Sequence, residues 1–153
     1  MALPVDDTPM LEIEDVALVG IRDIDPVEAR MIVDQGPEAF TVRDIDEMGM
    51  KEVVDRALEI ATRDADWLHV SFDLDAIDPR WAPGTGTPVQ GGLTLREAHL
   101  LLEILADSEL VRSMELVETN PILDIRNQTG ELAAWLAASC LGAKIMYGHR
   151  DEL

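Results

Sequence analysis

The sequence predicts an α/β fold in which helices pack on a mainly parallel sheet. Short apolar runs alternate with segments of helical length in the order β-α-β-α-β-loop-α-β-α. The connections between those runs hold an intervening helix, as right-handed crossovers between parallel strands require. Asp23, Asp25, Asp73, Asp75 and Glu118 all fall at or just after the end of an apolar run, which is where ligands gather in parallel sheets.

Met1 to Asp15 is polar and proline-containing and reads as a loose lead-in, with residues 16–153 forming one α/β domain without internal repeats. Val16 to Ile21 is a buried strand. Pro26 sits where a helix can begin, and Glu28 to Gln35 fills two turns before Gly36 stops it. Phe40 to Val42 is a short strand. Asp44 or Asp46 can cap a long helix through Ala65, with Met50, Val53, Val54, Ala57, Leu58 and Ala61 recurring at helical spacing.

Trp67 to Ala76 is the next strand, and the Pro/Gly-rich segment from Asp78 to Gly92 is too long for a simple turn. Thr94-Leu-Arg-Glu97 is a capping box that starts a helix to Ala106. Val111 to Glu118 resumes strand character, and Thr119 to Gln128 is a second loop. An apolar helix from Thr129 to Leu141 ends at Gly142.

At 153 residues and 47% hydrophobic, the chain can bury a sizeable core. Its 31 acidic against 12 basic residues give a formal charge of −19, which repels phosphate backbones and anionic lipid and argues against nucleic-acid or membrane partners. The basic residues are nearly all arginine, and a surface this acidic suits a salt-rich cytoplasm. Cys140 is the one cysteine and lies in an apolar run, so it reads as a buried core residue in a reducing compartment. No leader and no bilayer-length apolar run is visible, and a cytoplasmic location is expected.

The segment Ser71-Phe-Asp-Leu-Asp-Ala-Ile-Asp78-Pro79 concentrates carboxylates at the end of an apolar strand. Strand alternation puts Asp73 and Asp75 on one face. Two carboxylates there repel unless a cation lies between them, and oxygen donors suit Mn²⁺ or Mg²⁺. A solvated turn would account for Asp78 but leaves that pair without a role. The loop Gly84-Thr-Gly-Thr-Pro88 lacks the ending of a P-loop. Asp73-Leu-Asp75 also matches the Asp-x-Asp nucleophile of haloacid-dehalogenase-like phosphotransferases, but the rest of that constellation is missing. His69, His99 and His149 make no metal-binding pair, and His99 is expected at a surface or interface position on its helix.

Taken with Val19-Gly-Ile-Arg-Asp-Ile-Asp-Pro26, Gly86-Thr-Pro-Val-Gln-Gly-Gly92 and Val117-Glu-Thr-Asn-Pro-Ile-Leu-Asp124, that segment resembles the arginase branch of the ureohydrolase family from about Val16 to Tyr147. The resemblance implies a three-layer α-β-α fold of which only the carboxyl-terminal half is present. It implies an Mn²⁺-dependent hydrolysis of L-arginine to L-ornithine and urea, with agmatinase as the alternative substrate class. Asp73 and Asp75 would be ligands of a two-manganese cluster, Glu118 would pair with the guanidinium, and Thr87 would line the pocket beside it. Asp25, with Asp23 and Glu28, would face the substrate's α-amino end, although Asp25 also fits a helix N-cap before Pro26.

The family's Gly-Gly-Asp-His and Asp-Ala-His-x-Asp motifs are absent. They would carry most of the metal ligands, so the isolated chain is expected to be inactive or to act as an assembly module. A truncated sheet exposes an apolar edge, and homo-oligomers or a complementary amino-terminal-half chain are the expected partners.

Overall fold

The computed structural model of the protein describes residues 11–144. The first ten residues of the expected lead-in, Tyr147 and His149 lie outside the described residues. A 3₁₀ turn, Ile13–Asp15, leads into β1 (Ala17–Ile21), α1 (Pro26–Gln35) and β2 (Glu38–Thr41). Then come α2 (Val42–Met48), α3 (Met50–Ala61), β3 (Leu68–Asp73), α4 (Leu95–Asp107), β4 (Val111–Val117) and α5 (Gln128–Cys140).

The strands form two parallel ladders, β1 with β2 and β3 with β4. Among the described residues no ladder joins β1 to β3, so the parallel sheet is interrupted between them. In the first ladder Val19 lies opposite Phe40 and Ile21 opposite Thr41, which leaves Gly20 as a bulge with φ +88°. A side chain would strain that backbone. The bulge also changes the parity of the strand. Ala17 and Val19 pack on the core, whereas Leu18 and Ile21 line a cavity with Met31 and Ile32 of α1.

The predicted helix from Asp44 to Ala65 is two helices. Gly49, at φ +84° and ψ 151°, ends α2 and precedes α3. The cap is Thr41, whose hydroxyl accepts from the Asp44 amide while Asp44 accepts from the Thr41 amide. Asp44 therefore occupies the return position of a capping box rather than the cap itself. The Thr41 hydroxyl and amide hold the Asp44 carboxyl below its ordinary range. Thr94 and Glu97 form the predicted box at the start of α4.

The core lies where α3, α4 and α5 meet the strands. Val53, Val54 and Ala57 of α3 face Ala98, Leu101 and Leu102 of α4 among the buried residues, and Leu132, Leu136 and Cys140 of α5 belong to the same cluster. Each fully buried leucine stabilises by roughly 2–3 kcal/mol relative to exposure. Val70 and Phe72 of β3 point into this core, while His69 and Ser71 on the other face are exposed.

Both described histidines bridge elements. His69 Nδ1 hydrogen-bonds Ser113 Oγ at 2.7 Å across β3 and β4, where the two residues are register partners. His99, expected at a surface or interface position on its helix, is partly buried and hydrogen-bonds Ser139 Oγ at 2.8 Å, joining α4 to α5. Cys140 is buried as expected, and burial pushes its thiol pKa up.

Candidate functional site

β3 ends at Asp73, and Leu74–Ala76 is a 3₁₀ turn. The predicted strand to Ala76 is therefore three residues too long. Asp73 and Asp75 are brought together by this turn and not by strand alternation. Asp73 Oδ1 accepts from the Asp75 amide at 2.8 Å and so caps the turn. The reason is local: an aspartate side chain mimics the next backbone carbonyl and tightens the chain into a turn.

The loop after Asp78 returns to the same place. Ile77 and Leu93 form a parallel bridge, and Gly92 passes so close that an added Cβ would lie 2.6 Å from the Ala76 carbonyl oxygen and the Asp78 nitrogen. This contact clamps the two ends of the loop and delivers Thr87, whose hydroxyl donates to Asp75 Oδ2 at 2.7 Å. Glu118, the residue after β4, has φ +63°. Such left-handed backbone is strained for a side-chain-bearing residue and recurs at functional sites. Its Oε2 lies against Gly86, 3.7 Å from where a Cβ would stand.

Asp73, Asp75 and Glu118 thus form an acidic cluster at the carboxyl ends of β3 and β4. Burial raises the Asp73 pKa first, and the Asp75 and Glu118 charges raise it further, against the lowering effect of the Asp75 amide. Neighbouring carboxylates repel one another, and a cation between them relieves that repulsion. The oxygen donors of the cluster suit a hard divalent ion. Among the described residues, however, no three His, Cys, Asp or Glu side chains stand together as a ligand set.

The remaining predicted site residues sit on the segment after β1. Asp25 caps α1, with Oδ1 accepting from the amides of Val27 at 2.6 Å and Glu28 at 3.1 Å. Glu28 completes the box by accepting from the Asp25 amide at 3.3 Å. Asp23 and Glu28 line the cavity beside α1, of about 410 Å³, while Asp25 is exposed. No hydrogen bond joins these three to Asp73, Asp75, Thr87 or Glu118 among the described residues.

Two residues without a sequence-assigned role hold the site together. Arg22, directly after β1, donates to the backbone carbonyls of Asp75, Ala76 and Val89. An arginine at the end of an apolar strand is the one sequence signal for it. Asp124 accepts from the amides of Ile125 at 2.8 Å, Thr129 at 3.0 Å and Gly130 at 3.1 Å, and so closes the amino end of α5. Burial alone would raise its pKa, but these donors, with the Thr129 hydroxyl, hold it below the ordinary value. The Thr129 hydroxyl in turn accepts from the Gly84 amide at 2.8 Å, joining α5 to the loop that carries Thr87.

Comparison with known proteins gives this geometry a family context. The profile described as "Arginase family" matches residues 3–142. The arginase of Brevibacillus brevis is 44% identical over 139 residues, covering 91% of this chain and 47% of the relative. The native structure of arginase from Bacillus caldovelox superimposes with a TM-score of 0.87 at 42% identity, over 91% of this chain and 46% of that one. The proclavaminate amidino hydrolase of Streptomyces clavuligerus superimposes with a TM-score of 0.74 at 30% identity, over 86% of this chain and 42% of that one. The chain spans about half the length of the relatives it matches.

Proposed function

Since the chain belongs to the arginase family, we propose that it supplies the guanidinium-binding half of a manganese-dependent site that hydrolyses L-arginine to L-ornithine and urea. The supporting observation is the cluster itself: Asp73, Asp75 and Glu118 share one acidic site at the strand ends, with Thr87 bonded to Asp75.

In this reading Asp73 and Asp75 hold part of a manganese pair. Manganese, when bound, makes hydroxide available near neutral pH for attack on the guanidinium carbon. Glu118 accepts hydrogen bonds from the guanidinium and fixes its carbon in line for attack, because a charge-assisted pair is both short and directional. Thr87 holds Asp75 in one rotamer through its hydroxyl and borders the guanidinium. Asp23, Asp25 and Glu28 give the segment after β1 a negative field that suits the α-amino end of the substrate. For Asp25 this role coexists with capping α1, since the cap uses Oδ1.

A second reading applies to the chain on its own. With no three-donor ligand set among the described residues, the isolated chain is a folded, non-catalytic fragment that serves as an assembly or interaction module.

The test is urea release from L-arginine, with agmatine as the competing substrate, in the presence of Mn²⁺. The chain is assayed alone and together with the half of Bacillus caldovelox arginase that it does not match. Turnover that needs both halves and Mn²⁺, prefers arginine and disappears in Glu118→Gln is the expected result. Turnover unchanged in Glu118→Gln would remove the assigned role, and a preference for agmatine would move the chain to the other substrate class.

A further inference from the structure

The open face of the second ladder carries His69, Ser71, Ser113 and Glu115, polar side chains that the acidic cluster does not use. Alternation sets His69 and Ser71 of β3 outward while Val70 and Phe72 are buried. The ladder slips by one residue after Leu68: Leu68 lies opposite Val111, but His69 lies opposite Ser113 and Ser71 opposite Glu115. The residue passed over is Arg112. Without this bulge Arg112 would stand opposite His69, and Ser113 and Glu115 would turn toward the core. With it, Met114 and Leu116 pack on the core, and Ser113 and Glu115 share the face of His69. A cation is thereby kept off the position facing the imidazole, and a carboxylate is brought near it.

Both ring nitrogens of His69 have a neighbour. Nδ1 lies 2.7 Å from Ser113 Oγ, and Nε2 lies 3.8 Å from Glu115 Oε1. The first contact is a hydrogen bond, and the second is too long for one. In the tautomer whose Nδ1 proton is donated to Ser113 Oγ, Nε2 holds a lone pair that looks at an acceptor-only carboxylate. Two lone-pair donors at this spacing, with no proton between them, bracket a cation. A tetrahedral ion with bonds of about 2.0–2.2 Å to nitrogen and oxygen holds two donors about 3.4 Å apart. Both side chains are half-exposed and free to close the small remainder. Ser113 then fixes the tautomer and the ring from behind, as the partner of a metal-bound imidazole does.

We infer that His69 and Glu115 form a cation site separate from the acidic cluster, for a borderline divalent ion such as Zn²⁺ or Ni²⁺, with Ser113 orienting the imidazole. The donor set distinguishes the two sites. Imidazole nitrogen suits Zn²⁺, Ni²⁺ and Cu²⁺, whereas the oxygen-only cluster of Asp73, Asp75 and Glu118 suits a hard ion. Position distinguishes them as well: the strand advances about 13 Å from His69 to Asp73, so one ion cannot touch both. Among the described residues no third His, Cys, Asp or Glu joins the pair, so water completes the coordination and the ion stays exchangeable. Neither donor depends on a second half of the fold. An ion bound here links β3 to β4 through side chains and stabilises that ladder by mass action.

The test is calorimetric titration of the intact chain with ZnCl₂ in excess MgCl₂, which occupies hard carboxylate sites, together with NMR of the histidine rings during addition of substoichiometric NiCl₂. Expected are one equivalent of bound zinc, a Tm that rises with zinc, and paramagnetic broadening of the His69 ring signal while that of His99 stays sharp. His69→Gln and Glu115→Gln should each lower zinc affinity by about tenfold or more, and Ser113→Ala by about tenfold, the usual effect of losing the group behind a ligand imidazole. All three positions are exposed, and circular dichroism checks that each variant is folded. The broadening is read on the unsubstituted chain, so it decides even where a variant does not fold. An unbroadened His69 ring, zinc affinity unchanged in His69→Gln, or zinc affinity lost in His149→Gln or Asp73→Asn with His69 in place would each overturn the proposal.

Discussion

Arg22 Nη2 donates to the backbone carbonyl of Asp75 at 2.5 Å, and the same nitrogen reaches the Val89 carbonyl at 2.8 Å. One guanidinium thereby connects the end of β1, the turn bearing the acidic cluster and the loop bearing Thr87. Arg22→Ala is expected to lower stability by about 2–3 kcal/mol, since hydrogen bonds from a charged donor contribute about 1.5–3 kcal/mol each and its lost partners are partly buried. Arg22→Lys should recover only part of this, because an ammonium lacks the planar fork. Urea-denaturation midpoints of the two variants would decide it, and equal values would contradict the fork argument.

Asp73 has its pKa raised by burial and by its acidic neighbours. A carboxyl whose folded pKa exceeds its unfolded one destabilises the fold above the folded pKa, and this effect vanishes as pH falls below the unfolded value. Asp73→Asn keeps the Oδ1 acceptor for the Asp75 amide and removes the charge. It should therefore stabilise the metal-free chain at neutral pH by up to about 1 kcal/mol, as is typical of screened charges, and leave it unchanged in strong acid. Thermal melts at both pH values provide the check.

Asp124 behaves in the opposite sense, because its folded pKa is depressed by the amides it caps. Its contribution is present above the unfolded carboxylate range and is lost as pH falls through the folded value. Asp124→Ala should lower stability at neutral pH by about 1–2 kcal/mol, the usual effect of removing a helix cap. The difference from wild type should shrink toward zero in acid.

Gly92→Ala places a Cβ 2.6 Å from two backbone atoms, and backbone cannot rotate aside as a side chain can. A loss of about 3 kcal/mol is expected, at the upper end of overpacking effects. A Tm within a degree or two of wild type would show that the clamp yields. Gly36→Ala provides the contrast: nothing lies within 4 Å of its added Cβ, so only the left-handed backbone at φ +94° opposes it.

The formal charge of −19 makes salt a stabiliser. Added KCl should raise the Tm progressively, because counterions screen self-repulsion over a distance that falls from about 10 Å at 0.1 M to about 3 Å at 1 M. A flat or falling curve would count against a salt-adapted surface.

Local signals were the legible ones. Thr94 with Glu97, Pro26 and Gly36 mark helix ends that depend on neighbours three or four residues away, and the structure places helix ends there. Apolar runs separated by helices likewise point to parallel pairing. The break at Gly49 was hidden because apolar periodicity continues on both sides of it, so one glycine does not distinguish a long helix from two short ones. Asp75 was misplaced for a related reason: over three residues, a strand and an aspartate-capped turn have the same pattern. Arg22 and Asp124 act through partners set by the tertiary fold, and the break between β1 and β3 likewise depends on contacts remote in sequence.

A strand edge on the outside of a sheet can recruit one neighbour after another, which is how edge pairing grows into fibres. Here the outer strands offer little for that. β2 is four residues long, and β4 carries Arg112 and Glu115 on exposed positions. The inward edges of β1 and β3 carry no ladder among the described residues, and they lie beside the break in the sheet rather than at its rim.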